Sequence, residues 1–147
     1  MELFPKLHSR AESKAQIESI EVGFEEEGFG FWALQPHGEE EIIGFAGLKS
    51  APPEMPFSPA IEVGWRLARS HLGRGLATEA ARAAIDFGFD EIGLDEIVAF
   101  TTPANTRSLA VMERLGMTRD PAGDFRHPFI DPDSPLSEHV LYRLRKR

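Results

Sequence analysis

The segment from Ala60 to Gly116 constrains the fold more than any other part of the chain. Residues 60–67, AIEVGWRL, alternate, with Ile61, Val63, Trp65 and Leu67 on one face and Glu62, Gly64 and Arg66 on the other, which is the pattern of a β-strand. After the glycine-bearing LGRGLATEA at 72–80, the residues Leu76, Ala80, Ala81, Ala84, Ile85 and Gly88 recur at helical spacing. This small-residue stripe predicts a helix that packs closely on a sheet and ends near Gly93. IVAFTT at 97–102 is β-branched and aromatic, a second strand. Asn105 is placed to cap a second helix whose Leu109, Met112 and Leu115 line up before Gly116. Strand, helix, strand, helix demands a crossover, so part of the sheet must be parallel.

The flanks are read around that unit. Ser9 and Glu12 have capping-box spacing, and Ile17, Ile20 and Phe24 follow at helical intervals, which predicts a helix from about Ala11 to Glu27. FWAL at 31–34 and EIIGFAGL at 41–48 flank the turn-rich QPHGEE and read as a β-hairpin. Residues 50–59 hold four prolines and must be a loop. The tail from Met117 is Pro- and Asp-rich in its middle and closes with HVLYRLR, a last antiparallel strand. The expected class is α/β with a mixed sheet, and 147 residues suit a single domain, 1–147.

Composition excludes several functions. Sixteen basic against 24 acidic residues give a net charge of −8, unfavourable for non-specific nucleic-acid binding. With no cysteine there is no disulfide, thiolate metal site or cysteine nucleophile, which fits a reducing, cytoplasmic setting. Apolar runs fall short of a membrane span, and MELFPKLHSRAESK carries charges where a secretory leader would be apolar. The five histidines show no metal spacing, and no metal is expected.

The chemistry sits in LGRGLATEA. Two glycines separated by one residue, between a strand and a helix start, turn backbone N–H groups toward one point, where the helix dipole adds positive potential and Thr78 a hydroxyl. A pyrophosphate is the natural guest. The pattern is neither a Walker loop nor the dinucleotide fingerprint, since no Gly-Lys-Ser/Thr follows and Thr78 stands where a third glycine would be.

This run, followed by NTRSLAVMERLGM at 105–117, resembles the GCN5-related N-acetyltransferase (GNAT) superfamily, and within it the group that acetylates ribosomal-protein N-termini. Leu72, Gly73, Arg74, Gly75, Leu76 and Ala77 fall on the superfamily's Q/R-x-x-G-x-G/A signature, with Leu72 in the Q/R place. Asn105 and the Leu115-Gly116-Met117 segment match the start and end of its later helix. The resemblance implies a mostly antiparallel sheet whose central parallel pair splays around acetyl-CoA, with helices on both faces. It implies cofactor contacts from Trp65, Leu67, Leu72, Gly73, Arg74, Gly75, Leu76, Ala77, Thr78, Asn105 and Ser108, with the Trp65 N–H facing the thioester oxygen. Arg69, Arg74 and Arg107 would surround the phosphates. Two departures stand out. Met112 occupies the place where many members carry a tyrosine general acid, and the family's usual first strand and helix have no counterpart, so the domain is expected to be short at its amino end.

The partners implied are acetyl-CoA and a primary amine, either a protein N-terminus or a small molecule, with no nucleic acid or membrane and the chain a monomer or homodimer. Glu62, on the strand beside the thioester, is the candidate base; the alternative is a solvated or ion-paired strand residue. Ser108 is the nearest hydroxyl to the leaving sulfur, or merely a helix-start residue. Asp120, Asp124, Asp131, Asp133 and Glu138 either rim a site for a cationic acceptor or are ordinary loop residues. Two other readings stay open: a non-catalytic acyl-CoA-binding module, and a phosphate- or nucleotide-binding regulator.

Overall fold

The structure, a computed structural model, describes residues 2–4, 30–35, 42–68 and 75–146. The helix expected at 11–27 and the loop residues Arg69, Leu72, Gly73 and Arg74 lie outside them. The described residues form seven strands: β1 Glu2–Phe4, β2 Phe31–Gln35, β3 Gly44–Ser50, β4 Ile61–Leu67, β5 Glu96–Thr101, β6 Thr118–Arg126 and β7 Glu138–Arg145. Helix α1 spans Leu76–Phe87 and α2 Thr106–Arg114. The strands form one sheet in the order β1-β2-β3-β4-β5-β7-β6, antiparallel everywhere except between β4 and β5. The predicted mixed sheet with its central parallel pair is what forms, and 31–34 pair with 44–47 as antiparallel neighbours.

The alternation of β4 sends Val63, Trp65 and Leu67 to the face that carries the helices. There Leu48, Val63, Ile97, Ala99, Val140 and Tyr142 of the sheet meet Ala81, Ala84 and Ile85 of α1 and Val111 and Met112 of α2. Both described helices therefore share one face. The small-residue stripe works as read: Ala80, Ala81 and Ala84 are fully buried, which lets the α1 backbone lie close to the strands. A π-helical turn, Gly88–Ile92, continues α1 and stops at Gly93, whose φ of 81° closes it where a side chain would be strained.

Two strands were not predicted, β1 and β6. β6 reads TRDPAGDFR, a polar run with a proline and no apolar alternation, and it survives as a strand because it lies at the sheet edge, where a missing N–H is tolerated. Its register with β7 shifts between Asp120 and Phe125. What holds it is charge: Arg143 of β7 donates from Nε to Asp120 Oδ2 at 2.9 Å and from Nη1 to Glu96 Oε1 at 2.7 Å, joining β6, β7 and β5.

Gly88 marks the tightest approach of this crossover, since a Cβ there would lie 2.9 Å from Leu48 Cδ1 and 3.0 Å from Ile97 Cδ1. Gly88→Val should overpack this site and destabilise the fold by about 2 kcal/mol. Urea unfolding should show a lower midpoint with an unchanged slope.

Candidate active site

The site begins where two strands part. β3 and β4 pair without interruption from Gly44↔Leu67 to Ser50↔Ile61, and β5 and β7 from Glu96↔Arg145 to Thr101↔Val140. Between β4 and β5 the ladder holds one pair, Glu62↔Val98. Beyond Glu62 the parallel strands diverge, and the first turn of α2 lies beside the gap. Asn105 fixes that turn: its Oδ1 accepts from the Ser108 backbone N–H at 3.2 Å, and its Nδ2 donates to Thr101 Oγ1 at 3.0 Å. One side chain thus caps the helix and ties it to the end of β5.

Two cavities meet at this gap. The first, of about 330 Å³, is lined by Trp65 and Leu67 of β4, by Gly75, Leu76, Ala77 and Thr78, and by Asn105 and Ser108, with Arg66, Arg107 and Arg114 around it. Gly75 has φ 74° and nothing within 4 Å of where a Cβ would stand, so the backbone there is open to a ligand. Thr78 Oγ1 is buried without a hydrogen-bond partner. A buried hydroxyl of that kind is unfavourable unless something supplies the bond. An orphaned donor, an open glycine, the start of a 12-residue helix and the helix arginines Arg107 and Arg114 together suit an anion such as a pyrophosphate.

The second cavity, about 200 Å³, shares Trp65, Asn105 and Ser108 with the first and adds Glu62, Phe100, Thr101 and Met112. Glu62 is half-buried and forms no ion pair among the described residues. Its Oε2 is buried with no partner, and burial pushes its pKa from 4.5 up to about 7, against a downward pull from Lys49. The cause is non-local. Glu62 stands at the vertex of the divergence, and the next residue on its face, Gly64, is so closely covered by the Phe31 ring that a Cβ would lie 2.9 Å from Phe31 Cζ.

The structure therefore brings together Glu62, Trp65, Leu67, Gly75, Leu76, Ala77, Thr78, Asn105 and Ser108. Thr101 and Phe100 join the site with no signal in the sequence, since only the folded arrangement places them there. Met112 is a buried wall residue, and Tyr142, the chain's single tyrosine, lies in β7 and lines neither cavity. Of the acidic loop residues, Asp124 and Glu138 line a further cavity of about 540 Å³ together with Arg119 and Arg126. Asp120 is held by Arg143, Asp124 by Arg119 at 2.8 Å and Glu138 by Arg126 at 4.0 Å, while Asp131 accepts from the Asp133 N–H. Among the described residues no group of three or more His, Asp or Glu is placed to hold a metal ion, and no helix is long and apolar enough to cross a membrane.

Residues 1–118 match the sequence model of the acetyltransferase (GNAT) domain. The chain belongs to this family. It is 34% identical over 95 residues to the FsC-acetyl coenzyme A-N(2)-transacetylase of Aspergillus fumigatus, covering 62% of this chain and 40% of that protein. An acetyltransferase structure from Agrobacterium tumefaciens superposes with a TM-score of 0.70 at 28% identity, covering 95% of this chain and 74% of the other. The ribosomal-protein-S5-alanine acetyltransferase of Vibrio fischeri, at 20% identity and TM-score 0.72 with 97% and 78% covered, shares the fold. The chain spans about half the length of the curated relatives it matches, 54% and 44% for two of them.

The displaced pKa of Glu62 has a thermodynamic signature. An unfolded chain releases this proton near 4.5 and the folded chain near 7, so between those values the unfolded state binds fewer protons and stability falls as pH rises. Glu62→Gln removes this slope. Between pH 5 and 8 the variant should gain about 2 to 3 kcal/mol relative to wild type, on the order of the shift itself, in denaturant titrations.

Proposed function

We propose that the protein transfers an acetyl group from acetyl-CoA to a primary amine, with Glu62 as general base. The observation that carries this reading is the position of Glu62, at the point where the two cavities share Trp65, Asn105 and Ser108. The family supplies the donor class, and a relative bearing the words acetyl coenzyme A in its name supports it. In this reading the unpaired Thr78 hydroxyl and the open Gly75 backbone receive the pyrophosphate, with Leu72, Gly73 and Arg74 completing the loop. Trp65 and Leu67 offer β4 backbone that β5 has left unpaired. A cytoplasmic setting, where acetyl-CoA is at hand, accompanies it, and the domain acts as a monomer or homodimer.

A base with a pKa of about 7 is poised to take a proton at neutral pH and return it to water. Deprotonating a lysine of pKa 10.4 at pH 7 costs about 4.6 kcal/mol, an α-amine near 8 only about 1.4. Glu62 is therefore matched to an α-amine. As the amine nitrogen bonds to the acetyl carbon, the carbon–sulfur bond breaks and the amine proton passes to the carboxylate. Met112 cannot donate to the leaving sulfur, but a thiol of pKa about 8.5 leaves tolerably as thiolate. Ser108, which lines both cavities, is the nearest hydroxyl to assist. Placing both reactants at one gap accounts for roughly 7 to 11 kcal/mol of the barrier.

Met112 in the acid position also favours a second reading, a module that binds acyl-CoA without transfer. Thiol release in the presence of amines separates the two. If transfer operates, Glu62→Gln should lower kcat roughly 10²- to 10⁴-fold at pH 7 with cofactor affinity nearly unchanged, and the loss should shrink at high pH. An unchanged rate would remove Glu62 from the mechanism. Independently, Gly75→Asp should abolish coenzyme A binding in calorimetry, because it places a side chain and a negative charge on the anion site. Normal binding by that variant would refute the phosphate assignment.

A further inference from the structure

The acceptor's chemistry can be read from the other face of the sheet, granted the acetyl-transfer reading above. Lys49 and Glu62 are cross-strand partners and present their side chains on the face opposite the two described helices, Lys49 being exposed. Phe100, which lines the Glu62 cavity, is the centre of a group of rings: Phe57 at 5.4 Å, Phe125 at 5.7 Å, His139 at 6.0 Å and His127 at 6.2 Å between centroids. All five rings keep part of their surface accessible, so they form a wall and not a piece of core.

The two imidazoles lie 5.1 Å apart and are held in opposite tautomers. His127 Nδ1 accepts from the Phe129 N–H at 3.2 Å, which leaves its proton on Nε2. His139 Nδ1 lies 3.1 Å from the Ser137 carbonyl, which can only accept, so His139 donates there and its Nε2 is bare when neutral. Burial, His139 and Lys49 all lower the His127 pKa, so that ring is neutral at pH 7. The wall is aromatic with one polar donor and one polar acceptor at its edge.

Charge then selects the acceptor. Glu96 and Asp120 on this face are taken by Arg143, and Asp124 and Glu138 by Arg119 and Arg126. Among the described residues, the distal ammonium of a polyamine beside Phe100 would meet Lys49 and four carboxylates already engaged by arginines. A carboxylate would meet a cation with no ion pair among the described residues. We propose that the acceptor is an aromatic α-amino acid, its amine at Glu62, its carboxylate on the Lys49 ammonium and its ring against the Phe100 wall.

Imidazole proton signals of the whole chain test this without any turnover. L-Phenylalanine should move the His127 and His139 resonances, and Lys49→Met, a change at an exposed position, should weaken that binding about tenfold. Phenylalaninamide, which lacks the carboxylate, should bind wild type as weakly as phenylalanine binds the variant, and spermidine should leave the imidazoles unmoved. With acetyl-CoA present, kcat/KM should be higher for phenylalanine than for spermidine. Unmoved imidazoles with phenylalanine, or a preference for spermidine, would overturn the proposal while leaving acetyl transfer intact. Binding of phenylalanine at this wall with no transfer to any amine would uphold the subsite and remove the transfer reading.

Discussion

One missing ladder organises this molecule. Two parallel strands that share a single backbone pair leave the rest of their facing edges without sheet partners, and such groups must be satisfied by something other than the sheet. Both cavities gather at that edge. The start of α2 stands beside the gap through the two hydrogen bonds of Asn105, α1 begins at an open glycine next to it, and the carboxyl group that ends the paired segment is desolvated by its neighbours. Ligands in parallel sheets collect outside the carboxyl ends of the strands for this reason.

The divergence is stable because the helices on one face close over it. α1 can lie flat on β3 and β4 because its inward positions are alanine, and α2 reaches the same core through Val111 and Met112. The family's tyrosine position thus carries a side chain that completes the core here. A fully buried thioether is a packing group and has no proton to give.

The parts legible in the sequence are those governed by local periodicity. The alternation of residues 61–67, the alanine stripe of α1, the cap at Asn105 and the stop at Gly93 all follow from spacings of two to four residues, and they define the crossover that creates the gap. Glu62 could be assigned to a face but not to an environment, because its burial depends on Phe31, thirty-one positions earlier, and on where pairing stops. β6 was invisible for a related reason. Its strand character comes from Arg143 reaching Asp120 across the sheet, and a polar edge with a proline carries no periodic signal. The arginine partners of Asp120, Asp124 and Glu138 were equally out of reach of the sequence, because only the folded chain brings them together.

The alternation of β4 has a further consequence. Trp65 and Leu67 point to the helix side, while Glu62 with its partner Lys49 and the Phe100 rings lie on the other. Among the described residues the sheet is a partition with a slot in it. In the proposed transfer, donor and acceptor would reach that slot from opposite sides, and neither would need to bind or leave before the other.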